Sequence, residues 1–191
     1  MARFFVVTGL PASGKTTVGS AVASELQLPL IDKDAILETM FDEIGIGDSA
    51  WRTKLSRSAD LIMQRMAQAS GGAVLVSWWR HPASGTDSGT PTAWLRSLPG
   101  EVIEIHCRCA PELAVDRFFA RRRHPGHLDE QRSRPRENQM FATYGALGAI
   151  GVGRLVDVCT EEPVHVQTLV NQLEPPPSAR AVEERGTVDR R

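Results

Sequence analysis

The sequence lacks any apolar run near the roughly 18 residues that a membrane-spanning helix requires, so no helical span is expected. Its first ten residues, MARFFVVTGL, are too short for a secretory leader and run straight into a motif, so no signal peptide is expected either. There is no excess of charge: 22 basic residues stand against 23 acidic ones, for a net charge of -1. A general nucleic-acid or membrane-surface binder needs a clear basic excess, and both classes are set aside. Lysine is scarce, with three (Lys15, Lys33 and Lys54) among the 22 basic residues. The information therefore lies in where the arginines cluster. Only three cysteines occur, Cys107, Cys109 and Cys159, with no zinc-ligand spacing. They read as reduced thiols of a cytoplasmic protein. Cys107 and Cys109 alternate within an apolar stretch, as buried strand residues do. Internal repeats are absent, and so is an N-K-x-D guanine motif, which removes the GTPase type of switch. At 191 residues the chain has room for one domain with a full core and none for the added domains of oligomeric motors.

What is present alternates between two periodicities. Arg3 to Thr8 is a short β-rich run that stops at Gly9. From Gly14 to Leu26 the apolar residues Val18, Ala21, Val22 and Leu26 fall at helical spacing. A second strand is expected over Leu28 to Ile31, then helices over Ala35 to Phe41 and Trp51 to Ala69. The second of these has Leu55, Ala59, Ile62 and Met66 on one face. Ala73 to Val76 is apolar without alternation, as in a strand covered on both sides. A Gly/Ser/Thr/Pro-rich loop runs from His81 to Pro91. Glu101 to Cys107 and Arg154 to Val158 read as strands. Pro111 to Arg123, Glu137 to Leu147 and Val164 to Leu173 read as helices, the first opened by its proline. The fold class expected is α/β: a three-layer P-loop NTPase fold with a parallel sheet of about five strands, helices on both faces and an arginine-rich lid. The domain is placed at residues 1–173. From 174 to 191 the chain has almost no apolar residues and three consecutive prolines, and it reads as a disordered tail.

One stretch carries specific chemistry. Gly9-Leu10-Pro11-Ala12-Ser13-Gly14-Lys15-Thr16 fits G-x-x-x-x-G-K-[ST], with a β-run before it and a helix pattern after it. Glycines let the backbone wrap an anion with inward-pointing N–H groups. The helix that follows adds the positive end of its dipole. Lys15 supplies a cation for the β- and γ-phosphates, and the Thr16 hydroxyl suits Mg²⁺. Gly9, Pro11, Ala12, Ser13, Gly14, Lys15, Thr16 and Thr17 are the candidate nucleotide-binding residues, and ATP with Mg²⁺ the expected ligands.

On these residues the chain resembles the small P-loop kinases, a group that includes nucleoside-monophosphate, shikimate and gluconate kinases. The nearer resemblance is to the branch with chloramphenicol phosphotransferase, the zeta toxins and the kinase domain of phage polynucleotide kinase. It covers about Arg3 to Leu173. In that branch an aspartate just after the second strand receives or orients the acceptor hydroxyl. Here the segment is Leu30-Ile31-Asp32-Lys33-Asp34, and the resemblance implies that role for Asp34, with Asp32 as alternative. Either could instead only cap the next helix. The polynucleotide kinases carry an arginine four residues after their aspartate; Glu38 stands there in this chain. That departure favours a neutral or cationic hydroxyl compound over an anionic acceptor.

The resemblance also implies a lid in Arg117 to His127. Arg117 takes the place of an arginine that lies against adenine. Arg121 takes that of one reaching the transferring phosphoryl group, with Arg122 and Arg123 as substitutes. His124 and His127 alone do not make a metal site. Many P-loop proteins end a buried strand in an aspartate that holds the metal's waters; here that position is Ser77, and Asp32 or Asp34 would have to share the duty. Trp78, Trp79 and Arg80 leave the carboxyl end of the same strand, where ligands of open α/β sheets bind, and are candidate acceptor-binding residues. For one or both tryptophans, packing under the Gly/Ser-rich loop is the alternative; Trp51 and Trp94 are expected to be packing residues on their helices. The sequence-level reading is an ATP-dependent kinase for a small-molecule hydroxyl, with catalytic Lys15, Asp34 and Arg121. Two alternatives remain at this stage: a nucleotide-sugar or polynucleotide-end kinase of zeta-toxin type, and a nucleotide-dependent switch with little transfer.

Overall fold

The sheet is organised around β1 (Arg3–Thr8), whose residues Phe4 to Thr8 are all buried. The structure is a computed structural model that describes residues 2–174; the tail expected over 174–191 lies, from residue 175, outside the described residues. Strands β2 (Leu30–Asp32), β3 (Ala73–Val76), β4 (Glu101–Arg108) and β5 (Arg154–Cys159) complete a parallel five-stranded sheet in the order β2-β3-β1-β4-β5. The side-chain period of two sends Phe5 and Val7 to one face and Phe4 and Val6 to the other. On the first face they meet α1 (Lys15–Leu26) and α6 (Val166–Leu173) through Val18, Val22, Leu169 and Leu173. On the second they meet Met63 and Ala67 of α3 (Ser49–Ala69), together with Trp79 and Leu95. This is the three-layer α/β architecture expected from the alternating periods. Among the described residues no helix is long and apolar enough to cross a membrane.

Two further helices carry the site. α2 (Lys33–Ile44) packs Leu37 and Phe41 against Leu55 and Ala59 of α3. α4 (Pro111–Ala120) and α5 (Arg134–Gly145) form a separate small core with Phe118 and Phe141 at its centre.

Several boundaries differ from the sequence reading, each for a local reason. The buried row of α3 is Leu55, Ala59, Met63 and Ala67, while Ile62 and Met66 are 38% and 45% exposed. Both rows are apolar at helical spacing, and contact with α2 and β1 selects the one that continues strictly every four residues. α2 is longer than expected because Asp32 caps it, accepting from the Asp34 N–H at 2.9 Å, and it runs on until Gly45 adopts φ 90°. α4 stops at Ala120 instead of Arg123: Arg121 is already extended, and the lid begins there. α5 starts at Arg134, with Pro135 in its first turn, where a missing N–H costs nothing.

A buried carboxylate fixes the far side of the sheet. Glu104 of β4 is fully buried; its Oε1 accepts from the Thr8 hydroxyl (2.8 Å) and the Ile150 N–H (2.7 Å). Its Oε2 accepts from the Gly151 and Val152 N–H groups at 2.8 and 3.2 Å. Four donors thus converge on one side chain and hold the approach to β5 beneath the end of β1. Replacing Glu104 by alanine leaves the buried Ile150 and Val152 N–H groups without a partner, and a loss of about 3 kcal/mol is expected. Urea denaturation of Glu104→Ala against the native chain measures it.

Candidate active site

The loop from Gly9 to Gly14 is shaped by close approaches that only small residues permit. Gly9 has φ 131°, and a Cβ there would lie 2.5 Å from the Cys107 carbonyl oxygen of β4. Gly14 has φ 88° and hands the chain into α1. Ala12 also takes the left-handed region, with φ 59°, so the turn alternates backbone handedness and its amides face inward. Lys15 lies under this turn. Its Nζ donates to the carbonyls of Gly9 and Leu10 at 3.0 and 2.5 Å. Burial lowers its pKa to about 8, outweighing the carboxylates of Asp34 and Asp32 that pull it up. The buried Ser13 hydroxyl has no hydrogen-bond partner.

Thr16, at the first turn of α1, donates its hydroxyl to Asp32 Oδ2 at 3.1 Å. A hydroxyl and a carboxylate oxygen side by side form the hard-oxygen edge that suits Mg²⁺, which is usually held by one or two protein oxygens, phosphate oxygens and water. Among the described residues no cluster of three or more His, Cys, Asp or Glu could hold a metal ion by itself. The carboxylate missing from the end of β3 is thus matched by one at the end of β2. Ser77 does not replace it: its hydroxyl is 2.6 Å from Thr90 Oγ1, which in turn bonds Asp60 Oδ1 at 2.7 Å. Asp60 also pairs with Lys33 at 2.7 Å.

A cleft of about 590 Å³ opens over the carboxyl ends of β1, β2 and β3. Lys15, Thr16, Asp32 and Asp34 line its floor, and Arg121 and Arg123 its lid side. Arg123 Nη2 donates to Asp34 Oδ2 at 2.5 Å, and its Nη1 reaches both Asp129 oxygens at 3.3 and 3.2 Å. Burial raises the Asp34 carboxyl, but the Arg123 guanidinium, with His127 and Lys15, outweighs it and holds the pKa below the ordinary value. Asp32 goes the other way, raised by burial and by the neighbouring Asp34 charge. The two carboxylates are therefore distinct: Asp34 is the anion facing the cations, and Asp32 the cap beside Thr16.

The lid arginines separate as well. Arg121 lies in the cleft with its guanidinium 5.2 Å from the Phe118 ring centroid, whereas Arg122 is exposed and outside the cleft. Arg117 donates to the Thr160 and Glu161 carbonyls, both at 2.9 Å. That places it at the edge of a mainly apolar recess of about 460 Å³ between the loop and the start of α6, lined by Thr17, Val18, Pro163 and Val164.

The acceptor-side candidates divide. Trp78 lines the cleft and meets Tyr144 edge-on at 5.4 Å. Trp79 does not: it is buried under the sheet, its indole N–H spent on the Val7 carbonyl at 2.9 Å and its ring against Trp94. Arg80 is also outside the cleft, bound to Asp87 across the base of its loop at 2.9 Å. That base is closed by Thr90, whose N–H donates to the Trp78 carbonyl and whose carbonyl accepts from the Arg80 N–H, both at 2.8 Å. The sequence reading missed Arg52 and Ser56, one turn apart on α3, and Arg132 beyond the lid, all of which line the cleft. Arg52 Nε is buried and unpartnered. Nothing in an amphipathic helix pattern separates such an arginine from a solvated one.

Fold and loop together define the class: a three-layer P-loop nucleotide-binding fold. Known proteins narrow it. A family model for shikimate kinase matches residues 11–47, from Pro11 in the loop through α1 and β2 to just beyond α2. A protein of Chloroflexus aurantiacus assigned as a kinase is 27% identical, with TM-score 0.72, over 90% of this chain and 96% of its own. A sugar kinase from a Janibacter species superposes with TM-score 0.53 at 20% identity, over 91% of this chain and 92% of its own. Shikimate kinase from Acinetobacter baumannii, in complex with shikimate, gives 0.55 at 14%, over 99% and 97%. No curated protein sequence matches significantly. These likenesses agree on an ATP-dependent phosphotransferase acting on a small molecule, with the fold of the small P-loop kinases.

The Lys15 ammonium sets a pH dependence for nucleotide binding. It is charged below its pKa of about 8 and neutral above it, and phosphate contact favours the charged form. Affinity for MgADP is therefore expected to hold steady up to pH 8 and to fall by up to about tenfold per unit above that. Titration calorimetry across pH 7 to 10 measures this, with Lys15→Met as the variant in which the alkaline fall disappears.

Proposed function

We propose that the protein transfers the γ-phosphoryl group of MgATP to a hydroxyl of a small acceptor that also carries an anionic group. The observation that carries this reading is the placing of Lys15 and Asp34 in one cleft, a phosphate-binding cation facing a carboxylate already paired with a lid arginine. The triphosphate would lie in the Gly9–Thr16 turn and the base in the recess beside Arg117. When bound, Mg²⁺ supplies charge neutralisation of the phosphate oxygens, and Thr16 with the Asp32 carboxylate behind it would hold it. Asp34 would orient the acceptor hydroxyl in line with the γ-phosphorus. Its lowered pKa makes it a weak base, which suits a loose transition state in which the proton leaves late. Lys15, Arg121 and Arg123 would meet the charge spread over the transferring group in a site with little water.

Three observations support the acceptor's charge. Arg52 carries a buried, unpartnered Nε on the acceptor wall, and Arg132 lines the same cleft. Desolvation lowers the Arg52 pKa, with Arg132 and Arg123 adding to it, so an anion there would relieve several cations at once. Glu38, whose charge pointed to a neutral or cationic acceptor, is taken up by His127 at 2.8 Å. Trp78, with Ser56, would supply the remaining wall. Within the small kinases, the aspartate at the start of α2 supports the branch of chloramphenicol phosphotransferase, the zeta toxins and the polynucleotide kinases. The ATP requirement of this reading and the three free thiols support a cytoplasmic location.

The test is ADP release from MgATP in the presence of hydroxy acids, sugar acids and uncharged alcohols. Stimulation by anionic hydroxyl compounds is expected; equal slow hydrolysis with every compound would leave only a nucleotide switch. In Asp34→Asn, MgATP affinity should stay within about threefold while transfer falls by about a thousandfold. Normal turnover in that variant would remove Asp34 from the chemistry. Arg52→Ala should raise the acceptor KM by about tenfold or more at nearly unchanged MgATP KM, read from initial rates with each substrate varied.

A further inference from the structure

The lid is docked on α2 by more than the Arg123–Asp34 pair. Glu38 lies four residues beyond Asp34, one turn along the same helix face, and His127 lies four residues beyond Arg123. His127 Nε2 is 2.8 Å from Glu38 Oε1 and 3.3 Å from Arg123 Nη2. The Glu38 carboxylate can only accept, so the Nε2 proton belongs to the Glu38 bond, and Arg123 Nη2, itself a donor, stands beside the ring without bonding it. The His127 side chain is fully buried and its Nδ1 has no partner. A second proton there would leave an N–H without a partner and a charge beside a guanidinium; burial and the Arg123 charge lower the His127 pKa, outweighing the Asp34 and Glu38 carboxylates that pull it up. The ring is held from its other side by Phe41, edge to face at 5.7 Å, and Phe41 also stacks on His124 at 5.3 Å. A Cβ on Gly126 would collide with the Phe41 ring. His124 Nε2 adds a contact to Asp42 at 3.1 Å.

We infer that the Glu38–His127 pair is a positioning device for Arg123: it sets the lid at one height on α2, so that the guanidinium stands at the junction of Asp34 and the phosphate loop. The inference rests on the kinase reading of the same cleft. A single arginine between Asp34 and Asp129 can pivot about its long side chain. A second, rigid rung one turn away removes that freedom, because a buried imidazole against Phe41 has one place to sit. Glu38 and His127 touch neither of the nucleotide-facing residues Lys15 and Thr16, so their effect must pass through Arg123.

The experiment compares His127→Gln, which keeps an amide donor for Glu38, with His127→Leu, which fills the space without one. The probes are MgADP alone and MgADP with fluoroaluminate, a stand-in for the transferring phosphoryl group, with dissociation constants from calorimetry. MgADP affinity should stay within about twofold of native in both variants. Fluoroaluminate affinity should fall by about thirtyfold in His127→Leu and by no more than about threefold in His127→Gln. Glu38→Ala, which removes the half-exposed partner and leaves the core intact, should reproduce the leucine result and decides the matter if His127→Leu does not fold. Equal behaviour of the glutamine and leucine variants, parallel loss of both probes, or a native chain with no preference for fluoroaluminate would each overturn the inference. A native chain that binds no MgADP would instead sink the kinase reading itself, and this inference with it.

Discussion

The site depends on the contact between the end of β1 and the end of β4. Gly9 touches the Cys107 carbonyl so closely that any side chain would push the two strands apart. That contact starts the turn which aims the loop amides inward and delivers Lys15 beneath them. It holds because β1 is the central strand, with β3 on one side and β4 on the other, and because the Glu104 network ties β4, Thr8 and the approach to β5 into one block. A phosphate loop needs a rigid rim, since a cradle that bends under its anion gives back as strain what it gains in hydrogen bonds.

Charge in the cleft is arranged as alternation, not as a basic patch. Lys15, Arg52, Arg121, Arg123 and Arg132 line one space, yet Asp34 and Asp129 lie among them, and Arg123 bridges these two carboxylates. Arg132 is shared similarly between Asp129 and Glu137. Without these carboxylates, so many cations in a partly dry space would repel the lid from the floor. With them, the lid can lie closed while the cations stay close to where a polyanion would need them. The overall neutrality of the chain is consistent with this: its positive charge is local, and balanced nearby.

The architecture was legible because every strand and helix repeats its pattern over several residues. The loop was legible because it is contiguous in sequence. Asp34 and Arg121 were proposed from the resemblance to the small P-loop kinases, and both line the cleft. Arg52, Arg132 and the Glu38–His127 pair were not, because each is brought into place by tertiary contacts between segments tens of residues apart, and one arginine in a polar run looks like another. Trp79 and Arg80 were misplaced for a related reason. Leaving the correct strand edge does not say which way a side chain turns, and the Val7 carbonyl and Asp87 decide it. On α3, two apolar rows competed, and only the neighbouring helix distinguishes Met63 from Ile62.

The polar chain Ser77–Thr90–Asp60–Lys33 has an implication of its own. It links the tip of β3, the base of the glycine-rich loop, the middle of α3 and the first turn of α2, and each link is short and largely shielded from water. These are the four segments that surround the acceptor wall. Bolted together in this way, they form a stiff mould. Discrimination among acceptors would then be decided by fit on arrival instead of by reshaping of the wall, and a compound one carbon too long would be refused at the threshold.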